Sequence, residues 1–115
     1  MHMKSRKRLK HFTYRGDQQR IREDLLRPNP YLGYECDRLG LHFLQCEAFQ
    51  LAESQFRRAA WLNPHEPLFT LHLAHALLRL RRMDEAHLLL IELRRDSRTR
   101  STASELFRRY WPDDP

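Results

Sequence analysis

Glycine is almost missing from this chain, with 3 residues in 115, and none of them falls in a Gly-rich loop of the kind that cradles a nucleotide phosphate. The His-Glu pairing of a metalloprotease helix is missing too, and no Ser or Cys has a base beside it in the local sequence. Catalysis is therefore not expected, and nothing calls for a cofactor or a small-molecule substrate. No apolar run reaches the ~18 residues that span a bilayer, and the basic first residues lead into no apolar signal core. A cytoplasmic protein is the expectation. Cysteine is limited to Cys36 and Cys46. On one helix with ~1.5 Å rise they stand roughly 15 Å apart, beyond the ~7 Å a disulfide tolerates, so reduced, buried thiols are predicted.

Acid is lacking from the first fifteen residues, which carry Lys4, Arg6, Lys7, Arg8, Lys10 and Arg15 and so hold a charge of +6. Removing these six from the total of 21 Lys and Arg leaves 15 cations against all 15 acids, so the remaining hundred residues are formally neutral. The pI of 9.9 thus describes a basic arm, residues 1–15, on a balanced body. Such an arm, predicted to be flexible, offers six cations to the phosphates of nucleic acid or of an anionic membrane surface, with Phe12 and Tyr14 beside them to stack on bases.

What the body has in abundance is Leu, Ala, Arg and Glu with Pro at the joints, the composition of an all-α protein. It also repeats. Asn29-Pro30 returns as Asn63-Pro64, and in the same register Leu39-Gly40, Phe43, Ala52 and Phe56 return as Leu73-Ala74, Leu77, Ala86 and Leu90. Leu73 and Leu77 return once more as Phe107 and Trp111. A period of about 34 residues marks a stack of helical units that cannot each bury an apolar face alone.

Helix signals fit that period. Asp17 caps a short helix to about Arg27 with Ile21, Leu25 and Leu26 on one face; Asn29 and Pro30 open a helix over 31–45, followed by one over 47–61. Pro64 and Pro67 bracket a helix to about Arg82, Asp84 caps another to about Arg95, and Thr102 with Glu105 forms a capping box for a last helix ending at Pro112. Arginines 79, 81, 82, 94 and 95 then fall where helices end and cations suit the dipole.

The order Leu39-Gly40, Phe43, Ala52, Phe56, Ala59, Pro64 resembles the tetratricopeptide repeat, a helix-turn-helix unit of about 34 residues. The second unit departs from it at Leu93 and Arg98, and Cys36 stands where the family often has Trp. The resemblance implies a stack of about six helices: an N-terminal cap helix, repeats over about 33–66 and 67–100, and a cap helix over 101–111, within a domain of residues 16–112 and before a tail of 113–115. It also implies that the first helix of each unit lines a concave groove. The groove set is then Tyr34, Asp37, Leu41, Leu44 and Gln45 with Leu68, Leu71, His75, Leu78 and Arg79.

The helix beginning near Leu68 is apolar nearly all round, and such a helix should be covered all round. The expected cover over Leu41, Leu44, Leu68, Leu71 and Leu78 is an apolar helix or peptide of a partner protein, with a second copy of the chain or its own arm as alternatives. The function implied is that of a non-catalytic adaptor, assembly factor or chaperone. The family's carboxylate-clamp form needs Lys and Asn in the groove; no lysine follows Lys10, so an apolar ligand fits better than a charged tail. His72 and His75 are spaced to meet on a helix, but no third ligand lies near and no metal is expected.

Overall fold

The computed structural model describes residues 31–114, and all regular structure among them is helical. Five helices follow one another: α1 (Tyr31–Gln45), α2 (Phe49–Leu62), α3 (Pro67–Arg79), α4 (Met83–Leu93) and α5 (Arg100–Tyr110). Each packs on the next, and α1 also reaches α3. The basic arm, the helix expected over 17–27 and the Asn29 cap lie outside the described residues.

The turn between the first two helices is repeated in the turn between α3 and α4. Glu47 and Arg81, one repeat period apart, both adopt positive φ, 62° and 64°. Around them the amides of Glu47 and Ala48 donate to the carbonyls of Leu44 and Phe43, and those of Arg81 and Arg82 donate to Leu78 and Leu77. This pair of bonds closing over a left-handed residue is the Schellman ending of a helix, normally given to glycine. Both helices therefore stop at equivalent places, and their partners start at equivalent places, Phe49 and Met83. The left-handed residue is also why α2 begins at 49 and not 47, and why α3 stops at Arg79 and not Arg82.

Two of the expected caps are not made. Asp84 lies inside the first turn of α4, where with Glu85 it complements the helix dipole but does not cap it. Thr102 lies inside α5, which starts at Arg100, so the box with Glu105 does not form. Thr99 occupies the boundary, buried, and spends its hydroxyl on the carbonyl of Leu93 at 2.8 Å, tying the end of α4 to the start of α5. The α3 start is the well-made one: Pro67 takes the first position and the Glu66 carboxylate accepts from the amide of Leu68.

One continuous core runs through the stack. Ala52 and Phe56 of α2, most of α3, Ala86, Leu90 and Leu93 of α4, and Ala103, Leu106 and Phe107 of α5 belong to it. Phe107 and Trp111 pack together, with His87 edge-on to Trp111 at 4.9 Å and the Arg94 guanidinium 4.2 Å above the Phe107 ring. Outside, Arg57 and Arg82 each bridge Glu53 and Glu85, closing a ring of four ion pairs at 2.6–2.8 Å that ties α2 to the start of α4. Arg82 thus serves α4 and not the dipole of α3. The two thiols are free, but they are not buried as expected: Cys46 is exposed and Cys36 half-buried, and Leu39 is exposed although its register counterparts Leu73 and Phe107 are buried.

Candidate partner-binding groove

The repeat register aligns the expected groove positions in columns along the sequence. Tyr34 aligns with Leu68 and Thr102, and Leu41 with His75 and Arg109; Leu44 aligns with Leu78, and Gln45 with Arg79. Along these columns Tyr34, Leu41, Gln45, Leu68 and Arg79 are exposed, and Leu44 and His75 are half-buried. Leu41 is 39% and Leu68 43% accessible, a substantial apolar surface for side chains of this size.

The other three expected groove residues are interior. Leu71 and Leu78 are only 6% and 1% accessible and belong to the continuous core. The helix that is apolar all round is indeed covered, but by its own chain: α3 is flanked by α2 and α4 and also meets α1. An external partner is not needed to bury Leu71 and Leu78. Asp37 is buried as well, and its carboxylate pairs with His72 Nδ1 at 2.7 Å, joining α1 to α3. A carboxylate in that position is tolerable because it is paired. His72 also lies against the Phe56 ring, 5.4 Å between centroids. The Asp37–His72 pair joins two units, and no local motif announces it.

The charges around His75 are cationic. Burial first, and then the charges of His72, Arg79 and Arg109, hold the His75 imidazole below the ordinary value. Arg79 is itself steadied by the Phe49 ring, 4.6 Å from its guanidinium carbon. At the opposite end of α3 the Tyr34 hydroxyl donates to Glu66 at 2.8 Å and its ring meets Phe69 edge-on at 4.9 Å. The same hydrogen bond to the Glu66 carboxylate raises the Tyr34 phenol above its usual range. Tyr34 is therefore an oriented aromatic and not a loose one.

His75 gives the fold a pH response. Its folded-state value is depressed, so the unfolded chain takes up the proton first, and this residue's contribution is complete above the unfolded value of about 6.5 and is lost as pH falls through the lower, folded value. Thermal melts should thus show the difference in Tm between wild type and His75→Gln narrowing or changing sign as pH drops from 7.5 to below 6. A difference that stays constant over that range would show that His75 is not desolvated among cations.

Among the described residues no group of three or more His, Cys, Asp or Glu is placed to hold a metal ion, and no helix is long and apolar enough to cross a membrane. The six cations of the arm lie outside the described residues. No protein-family model, no curated protein and no solved structure matches this chain.

Proposed function

We propose that this chain is a short tetratricopeptide-repeat protein that acts without catalysis, as an adaptor, assembly factor or chaperone that binds a partner protein in its concave groove. The observation that carries the reading is the recurrence of the inter-helix turn one repeat later, down to equivalent hydrogen bonds and equivalent left-handed residues. A stack built from such units offers a long face made of first helices.

The partner feature that fits this face is an apolar helix or peptide carrying carboxylates. Leu41, Leu44 and Leu68 with Tyr34 supply the apolar contact, and Arg79 and Arg109 supply positive charge beside a His75 that burial holds toward its neutral form. α3 contains no acidic residue to oppose it. The occupant is a cytoplasmic protein segment in this reading, and a second copy of the chain is the competing occupant.

The test is affinity capture with the full chain as bait, quantified by mass spectrometry, comparing wild type with Leu41→Glu/Leu68→Glu. Both positions are exposed, so the double variant should keep its helical signal while losing at least about tenfold of specific capture, the scale set by roughly 1.4 kcal/mol of binding energy. Capture that survives these changes but disappears on deleting residues 1–15, or in high salt, would assign the function to the basic arm and to an anionic polymer or membrane surface. Light scattering that shows a dimer in wild type and a monomer in the double variant would identify the occupant as a second copy.

A further inference from the structure

The half-buried imidazole of His75 lies among positive charges from two helices. Arg79 stands one turn further along α3 and Arg109 comes from α5, both exposed, while His72 is the third cationic neighbour. None of the charges acting on His75 is a carboxylate.

The acids of the surrounding elements are committed elsewhere. α3 has none of its own, and Glu66 at its far end is bonded to Tyr34 and to the Leu68 amide. Asp37 of α1 holds His72. Glu53 of α2 and Glu85 of α4 belong to the ring with Arg57 and Arg82. Glu105 of α5 reaches Arg109 only at 3.8 Å, with both side chains largely exposed. Glu47, in the turn before α2, borders a shallow depression with Phe49 and Leu80 but makes no ion pair with Arg79. Arg79 is thus oriented by the Phe49 ring and has no carboxylate partner among the described residues. Two accessible guanidinium groups beside an imidazole that is short of an anion form a concentration of charge that the fold itself does not neutralise.

We propose that His75, Arg79 and Arg109 form a subsite for one carboxylate of the bound protein segment, and that His75 takes up a proton from solvent as that carboxylate arrives. The inference rests on the groove reading for its occupant, and it adds a regulation by pH. A carboxylate seated at the two arginines replaces repulsion at the imidazole with attraction, which favours the charged form. The imidazole returns the proton when the segment leaves. In the free chain burial and the neighbouring cations keep His75 neutral down to below its ordinary value, whereas the occupied chain holds the proton to a higher pH. Between those two values the occupied chain carries one more proton, so affinity rises as pH falls through that window, by at most about tenfold per pH unit, and levels off where the free imidazole is protonated too.

Glutarate serves as the carboxylate probe. The ring protons of the histidines of the full chain are followed by NMR against pH, in saturating glutarate and in chloride of the same ionic strength. The His75 midpoint should move up by about 0.5 pH unit or more in glutarate, while that of the exposed His65 stays in place. Arg79→Gln should abolish the movement and Arg79→Lys, which keeps the charge, should retain most of it; position 79 is exposed, so both variants should keep the helical signal. No movement at His75, the same movement in Arg79→Gln, or a larger movement in sulfate than in glutarate would overturn the proposal. Captured partner should also bind more tightly at pH 6 than at pH 7.5, and His75→Gln should remove that difference. A partner lost on Leu41→Glu/Leu68→Glu but indifferent to pH and to Arg79→Gln would leave the groove reading standing and overturn the subsite. Movement of His75 in glutarate, with capture that ignores Leu41 and Leu68, would support the subsite and overturn the groove reading.

Discussion

Gly40→Ala should destabilise the protein by about 1–3 kcal/mol, although alanine is the better helix former by roughly 1 kcal/mol. A methyl group at position 40 would stand 2.4 and 2.6 Å from Cε1 and Cδ1 of Phe56, and 3.0 Å from its Cζ. Phe56 is fully buried, and a packed interior gives its ring little room to turn away. The next unit shows the other solution to the same problem. At the corresponding places it has Ala74 and Leu90, both fully buried. The narrower side chain on the second helix goes with a methyl on the first. Phe56→Leu alone should therefore cost about 1 kcal/mol or more for the void it leaves. The double variant Gly40→Ala/Phe56→Leu should be more stable than Gly40→Ala and at least as stable as Phe56→Leu, because the new methyl enters that void and gains the helix propensity. Urea unfolding of the four proteins measures the coupling, expected at about 1–3 kcal/mol. Additive effects, or a Gly40→Ala protein as stable as wild type, would refute the ring contact as the reason for this glycine.

That pair illustrates what the sequence makes legible. The repeat spacing identifies Gly40 and Phe56 as interior positions, and the helices follow the expected order because Pro67 and the apolar spacing mark them. The turns are harder to place. Helix ends of this kind usually announce themselves with glycine, but here Glu47 and Arg81 take the left-handed conformation, so the strongest local signal is missing. The caps go astray for a related reason. Thr102 and Asp84 carry the right side chains, yet their helices already begin at Arg100 and Met83, once tertiary packing and the Schellman turn set the register.

The site is partly legible. Tyr34, Leu41, Gln45, Leu68 and Arg79 are exposed as a groove-lining reading requires. Asp37 belongs to the interior because its partner, His72, is remote in sequence and turns the carboxylate into a tie between helices. Leu39 departs in the opposite direction. It is exposed where its register counterparts Leu73 and Phe107 are buried. The cluster of Arg79, Arg109 and His75 does have a signal in the sequence, since a column-by-column reading of the repeat puts positions 75 and 109 at the same place in successive units.

Leu78→Glu should unfold the protein or lower its stability by about 4 kcal/mol or more, whereas Leu68→Glu should change it by no more than about 0.5 kcal/mol. The two residues lie on one helix and read alike in sequence, both leucines of α3 on the face attributed to the groove. Leu78 is 1% accessible within the core, so a carboxylate there is desolvated with no cation built to receive it, and it must either stay neutral or open the stack. Leu68 is 43% accessible and sits in the first turn of α3, where a negative charge is favoured by the helix dipole. Urea denaturation followed by circular dichroism separates them, and equal stabilities would mean that Leu78 faces solvent after all. The contrast also decides how binding experiments are to be read. A stability of about 5–15 kcal/mol leaves little reserve for a buried charge, so loss of a partner on changing Leu71 or Leu78 would report an unfolded stack. Loss on changing Leu41 and Leu68, with the fold intact, reports the surface itself.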